Sequence, residues 1–115
     1  MYLAITLLRI GISIPMIAFG IHQLVKPEGW TDYLPEWLKK LSPISSEADI
    51  RIHSLGNFLL GIMLLINAFP KFTGWATLIW WITILPFALK FKWSIGLRDL
   101  SIILATGAYI SLLYA

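Results

Sequence analysis

The sequence contains no cysteine, so it can form no disulfide, no thiol redox couple and no thiolate-bound metal site. Histidine occurs only twice, too few for a structural zinc site. Charged residues are 13% of the 115, about half of the roughly 25% found in soluble domains. No internal repeat, low-complexity tract or nucleotide-binding motif is present. With 58% apolar residues, a chain this short could not bury its apolar surface as a water-soluble domain, because small domains have a poor surface-to-volume ratio. The same apolar content excludes intrinsic disorder. The formal charge of +3 is modest, and the basic residues sit at the edges of apolar runs. That arrangement suits lipid headgroups and gives no footing for nucleic acid. With a mean hydropathy of +0.79, the chain reads as a small integral membrane protein, one domain over 1–115.

Four apolar runs follow one another. They cover about 3–25, interrupted by Arg9; 52–69, ended by Pro70-Lys71; 72–89, ended by Lys90; and 97–115, opening on Arg98-Asp99. Runs of roughly 17–23 residues match a bilayer core of about 30 Å at 1.5 Å per residue. They are continuous and do not alternate, so they are helices and not barrel strands. The short links between the later runs force antiparallel neighbours. The expected fold is therefore all-α: an integral membrane four-helix bundle, up-down-up-down, with an interfacial loop over 26–51. Ala18-Phe19-Gly20 loosely resembles a signal-peptide cleavage site, but no charged segment precedes the run and Arg9 lies within it, so it is read as a span. Pro15 and Pro86 are expected to bend the first and third helices.

The loop carries five of the six acids, interleaved with Trp30, Tyr33, Trp37 and Leu38, and reads as short amphipathic pieces lying in the interface. Trp30, Trp37 and Trp93 would form an aromatic belt there; Tyr2, Trp75 and Tyr114 would form the opposite one. Trp80 and Trp81 lie too deep for either belt, where they fill space, face lipid or stack on a flat ligand such as a quinone. Lys26, Lys39, Lys40, Arg51, Lys90, Lys92 and Arg98 lie on the loop side, against Lys71 and Arg9 on the other. By the positive-inside bias the loop is expected to be cytoplasmic and the termini outside.

Polar groups within spans are costly, and their depth sorts them into two levels. His22, Gln23, His53, Asn57, Arg98 and Asp99 come from three helices to the loop end, the best candidate for a ligand site. The competing reading is that they only bond one another at helix ends. Asp99 is expected to cap the first turn of the last helix, and Arg98 to pair with Glu47 or Asp49. A second level comprises Arg9, Asn67 and Thr77, with Tyr109 and Ser111 nearby as further partners for Arg9. Helical spacing puts Arg9, Ser13, Met16, Gly20 and Gln23 on one face, and His53, Asn57, Gly61, Leu64 and Ala68 on another. Gly20 and Gly61 would allow close helix approach.

Leu8-Arg9-Ile10-Gly11, Ala18-Phe19-Gly20-Ile21-His22-Gln23-Leu24, the Pro- and Trp-rich loop, Gly56-Asn57 with Gly61, and Arg98-Asp99 together resemble the DoxX family over nearly the whole chain. The resemblance implies a four-helix membrane protein. The family includes a subunit of an archaeal thiosulfate:quinone oxidoreductase and components linked to membrane redox complexes. Asn57 stands where a glutamate is common, which removes a proton carrier. No catalytic residue carries over, and the chain has no redox centre of its own. The expected role is an accessory subunit beside a redox protein or other membrane subunit, with a quinone as the ligand it could hold. The alternatives are a scaffold or assembly factor without ligand chemistry and, with less support, a small transporter. Small multidrug transporters are similar in size only, and the carboxylate of their first helix has no counterpart where Arg9 stands.

Overall fold

The structure is a computed structural model and describes residues 2–115. Every regular element among the described residues is helical: α1 (Tyr2–Val25), two 3-10 turns (Pro27–Gly29 and Thr31–Tyr33), α2 (Glu36–Leu41), α3 (Ser46–Leu65), α4 (Pro70–Phe91) and α5 (Trp93–Leu113). α1, α3, α4 and α5 are each long and apolar enough to cross a membrane, and the chain is a membrane protein. Their 20–24 residues correspond to about 30–36 Å of helix.

Helix ends depart from the apolar runs for local reasons. α3 begins at Ser46, not near 52, because Ser45 caps it: the Ala48 N–H donates to Ser45 Oγ at 3.2 Å, and Glu47 and Asp49 sit in the positively polarised first turn. Its far end comes at Leu65 although apolar residues continue to Phe69. Asn67 takes a left-handed conformation (φ 59°), its N–H turning back to the Leu64 carbonyl, as asparagine readily does past a helix end. Phe69 is also left-handed (φ 45°), an expensive conformation for an aromatic residue, and Pro70 then opens α4. α4 and α5 are separated by Lys92 alone, in extended backbone. That reversal brings Leu89 against Gly96, where a Cβ would lie 2.2 Å from Leu89 Cδ2.

The pairings can be read from contacts. Arg9, early in α1, reaches carbonyls at the end of α3, while Arg51, early in α3, donates to the Leu24 carbonyl at the end of α1. These two helices therefore run in opposite directions. Between them, Gly20 meets the backbone of Ser54 and Phe58, and Gly61 meets Met16 and Ile17. α4 and α5 also oppose: Gly74 faces Tyr109 and Ile110, and the Trp75 indole N–H donates to Tyr114 Oη at 3.3 Å.

The buried positions invert the soluble pattern. Ser13, Gln23, Ser54, Asn57, Thr73, Thr77, Asp99 and Thr106 are buried, as are Ile12, Met16, Leu64, Trp81 and Tyr109, while Leu3, Leu7, Ile14, Leu55, Leu59, Ile79 and Leu104 are exposed. Small and polar side chains inside with branched aliphatics outside is how helices pack when lipid is the solvent. Most of the buried hydroxyls are satisfied locally: Ser13, Ser54 and Thr106 donate to the carbonyls of Ile10, Arg51 and Ile102.

Candidate functional site

Where the loop folds against the ends of α1, α3, α4 and α5, it forms part of the wall of a half-open cavity of about 490 Å³. Its walls are aromatic because the loop turns back across the helix ends. Trp30 stacks on Tyr33 (centroids 5.4 Å apart) and Tyr33 on Phe91 (4.5 Å), which pins the two 3-10 turns to α4. Phe19 of α1 meets Trp30 at 5.8 Å and Trp81 edge-on at 6.4 Å. Leu38 and Leu41 of α2 supply apolar lining from the loop.

The polar groups divide into those already paired and those not. Asn57 is spent on structure: its Nδ2 donates to Gln23 Oε1 at 2.8 Å, and its Oδ1 accepts from Trp80 Nε1 at 2.7 Å. This chain ties α1, α3 and α4 together at one depth. His53 lies flat against Trp80, centroids 4.7 Å apart and 22° from parallel. Asp99 is 1% exposed, and its Oδ1 accepts from both Arg98 Nε and Nη2, at 3.1 and 3.0 Å. The Arg98 guanidinium also sits 4.6 Å above the Phe19 ring. Burial pushes the Tyr33 hydroxyl above its usual pKa, and the neighbouring Arg98 charge pulls against that shift. Two buried atoms in residues lining the cavity have no protein partner: the Trp81 indole Nε1 and Asp49 Oδ2. Among the described residues, no three His, Cys, Asp or Glu side chains gather in a metal-holding arrangement.

Of the loop-end residues expected from the sequence, Gln23, His53, Asn57, Arg98 and Asp99 line this one cavity. His22 does not; it is exposed, and its Nδ1 accepts from the Trp30 indole N–H at 2.7 Å, bracing the loop from outside. Asp99 is not a helix cap, because α5 starts six residues earlier and the carboxylate lies past its first turn. Arg98 turns to its own neighbour Asp99 in place of Glu47 or Asp49. The second level does not assemble. Arg9 donates to the Leu64 and Leu65 carbonyls at the end of α3, the former shared with the Asn67 N–H, while Asn67 sits in the following turn and Thr77 Oγ1 is buried without a partner. The sequence weighed Trp81, with Trp80, as filling space, facing lipid or stacking on a flat ligand, and Asp49 as an ion-pair partner for Arg98. Tyr33 was taken for an interfacial anchor. Nothing in hydropathy marks a loop that folds back over helix ends.

No family model, no curated protein and no solved structure matches this chain. The geometry is what bears on its role.

Proposed function

We propose that the protein is a DoxX-like, non-catalytic accessory subunit of a quinone-linked membrane redox complex, and that the loop-end cavity receives the quinone head group. The observation that carries this reading is the cavity itself, about 490 Å³ and walled by Phe19, Trp30, Tyr33, Trp80 and Phe87 where the loop meets the helix ends. A quinone head is flat and apolar on its faces and presents carbonyl acceptors at its edge. Phe19, Trp30, Trp80 and Phe87 line the cavity with aromatic surface of matching chemistry, and the part-exposed Arg98 guanidinium, with N–H groups beyond those bound to Asp99, offers a donor. The volume falls within the range of about 300–1,000 Å³ typical of small-molecule sites. Quinone supplies two-electron chemistry when bound; this chain binds it and orients it. Without cysteine or a nucleotide motif, the chain depends on a partner subunit for the electrons. Asn57, locked between Gln23 and Trp80, serves as a strut and transfers no proton.

In the membrane the four long helices cross up-down-up-down, with the cation-rich loop end cytoplasmic and the termini outside. Native mass spectrometry of the protein gently extracted from its own membranes tests the assignment. A retained quinone or a stoichiometric redox polypeptide is the expected result. A bundle carrying phospholipid alone would remove the basis for it.

A further inference from the structure

Much of the polar wall of the loop-end cavity is already bonded within the protein. Asn57 uses both of its amide groups, Trp80 gives its N–H to Asn57, and Thr83 Oγ1 donates to the Trp80 carbonyl at 2.7 Å. His53 differs. It lines the cavity and is half-buried, and no described residue bonds either of its ring nitrogens. Both nitrogens keep accessible surface, unlike the Trp81 indole nitrogen, which is buried without a partner.

Stacking fixes how the imidazole is presented. The ring lies 4.7 Å from Trp80 and 22° from parallel, and Trp80 is itself anchored through Asn57 to Gln23. One face is covered by the indole, so the polar edge is what remains to be met. A phenyl ring would pack as well on Trp80. An imidazole within a membrane span costs free energy unless something bonds its nitrogens. In either protonation state it carries at least one N–H donor.

The bundle places this donor across from the other one. α1 packs against both α3 and α5, and α4 does the same, so α3 and α5 stand diagonally opposite each other. His53 comes to the cavity from α3 and Arg98 from α5. We propose that His53 is a binding residue for the head group, donating to one ring carbonyl while Arg98 donates to the other, so that the ring bridges α3 and α5. The inference rests on the quinone-linked reading above. The two carbonyls of a para-quinone point in opposite directions, which donors on diagonal helices match.

The chain has only two histidines, and His22 does not line the cavity, so one imidazole serves as the reference for the other. The test uses the full chain in lipid nanodiscs with heavy-nitrogen-labelled histidine. It is titrated with duroquinone and with durene, the same methylated ring without its oxygens. The His53 ring-nitrogen resonances are expected to move with duroquinone and stay with durene, and those of His22 to stay with both. Affinity is followed by quenching of tryptophan fluorescence, with durene measured by its competition against duroquinone. His53→Phe, which keeps an aromatic ring against Trp80, should weaken duroquinone by about two- to tenfold, the worth of one net hydrogen bond, and leave durene unchanged. Duroquinone binding with the His53 resonances unmoved, or equal weakening of both probes by His53→Phe, would reduce His53 to packing and overturn the inference, leaving the quinone-linked reading standing. No binding of duroquinone to the parent protein would overturn both. The resonance measurement needs no variant, so it decides the matter even where His53→Phe does not fold.

Discussion

Replacing Asn57 by leucine removes the centre of a hydrogen-bonded strut and nothing else of comparable polarity. The side chain is 2% exposed and makes two bonds, one to Gln23 on α1 and one from Trp80 on α4. Interhelical hydrogen bonds in membranes average about 0.6 kcal/mol and reach about 1.7. Two together are therefore worth about 1–3 kcal/mol. The substitution also leaves Gln23 Oε1 and Trp80 Nε1 without partners, each at about 1–3 kcal/mol where no water replaces the bond. The added apolar bulk of leucine offsets part of this, so a net loss of about 2–3 kcal/mol is expected. Unfolding in mixed micelles titrated with dodecyl sulfate, followed by circular dichroism, measures it. A cycle with Trp80→Phe isolates one bond: that single change should cost about 1 kcal/mol, and the double mutant should lose less than the sum of the two singles. If Asn57→Leu stays within about 0.5 kcal/mol of the parent, as a surface substitution would, the strut does not exist as described.

Three further outcomes are expected. Gly20→Ala would place a Cβ 3.0 Å from the Phe58 N and Ser54 O of a rigid helix backbone, whereas Gly11→Ala meets nothing within 4 Å. Both gain the same helix propensity, so thermal unfolding in detergent should rank Gly11→Ala above Gly20→Ala by about 1–3 kcal/mol, and equal shifts would refute the close approach. Arg9→Leu leaves the Leu65 carbonyl unpaired at the α3 terminus and the Leu64 carbonyl with only the Asn67 N–H, and should destabilise by about 1–3 kcal/mol in the same micelle assay; a neutral result would mean that Arg9 only reaches the headgroups. The Tyr33 hydroxyl, held neutral by burial, binds its proton more tightly in the folded loop than in the released one. The docked loop should therefore be fully stable below the ordinary tyrosine pKa of about 10 and lose stability as pH rises above it. Tyr33→Phe should abolish that alkaline drop in tryptophan fluorescence, and a persisting drop would assign it to another group.

The four spans were legible because hydropathy over 20 residues is a strong signal and the bilayer fixes the length. The α1 face was legible for the same periodic reason: Ser13, Met16, Gly20 and Gln23 recur at helical spacing and all are buried. Boundaries failed where local chemistry overrode hydropathy. Ser45 with Glu47 and Asp49 carries α3 outward through polar residues, although the Ser-Ser-Glu-Ala-Asp run was itself a start signal. Asn67 stops α3 inside an apolar stretch, and Arg9 bonds the carbonyls of Leu64 and Leu65 just before that stop. The face proposed on α3 was shifted by one position in part: Ile50 and Ser54 are buried with Asn57, Gly61 and Leu64, while His53 lies at its edge against Trp80.

The depth argument located the polar level but could not tell which of its members are free to bind. Counting donors and acceptors separates them. Gln23 Oε1, Asn57 and the Trp80 indole are already matched to one another and tie α1, α3 and α4 together, whereas Arg98 pairs with Asp99 within α5. Among the described residues that line the cavity, Trp81 Nε1 and Asp49 Oδ2 are buried without a partner. The sequence singled out Trp81 together with Trp80, and Asp49 lies one turn before His53. Of the tryptophan pair, Trp80 gives its indole N–H to Asn57 and the Trp81 N–H is buried without a partner, a division that periodicity does not show because adjacent residues point about 100° apart on a helix. The polar residues most conspicuous in the sequence, Gln23 and Asn57, build the frame.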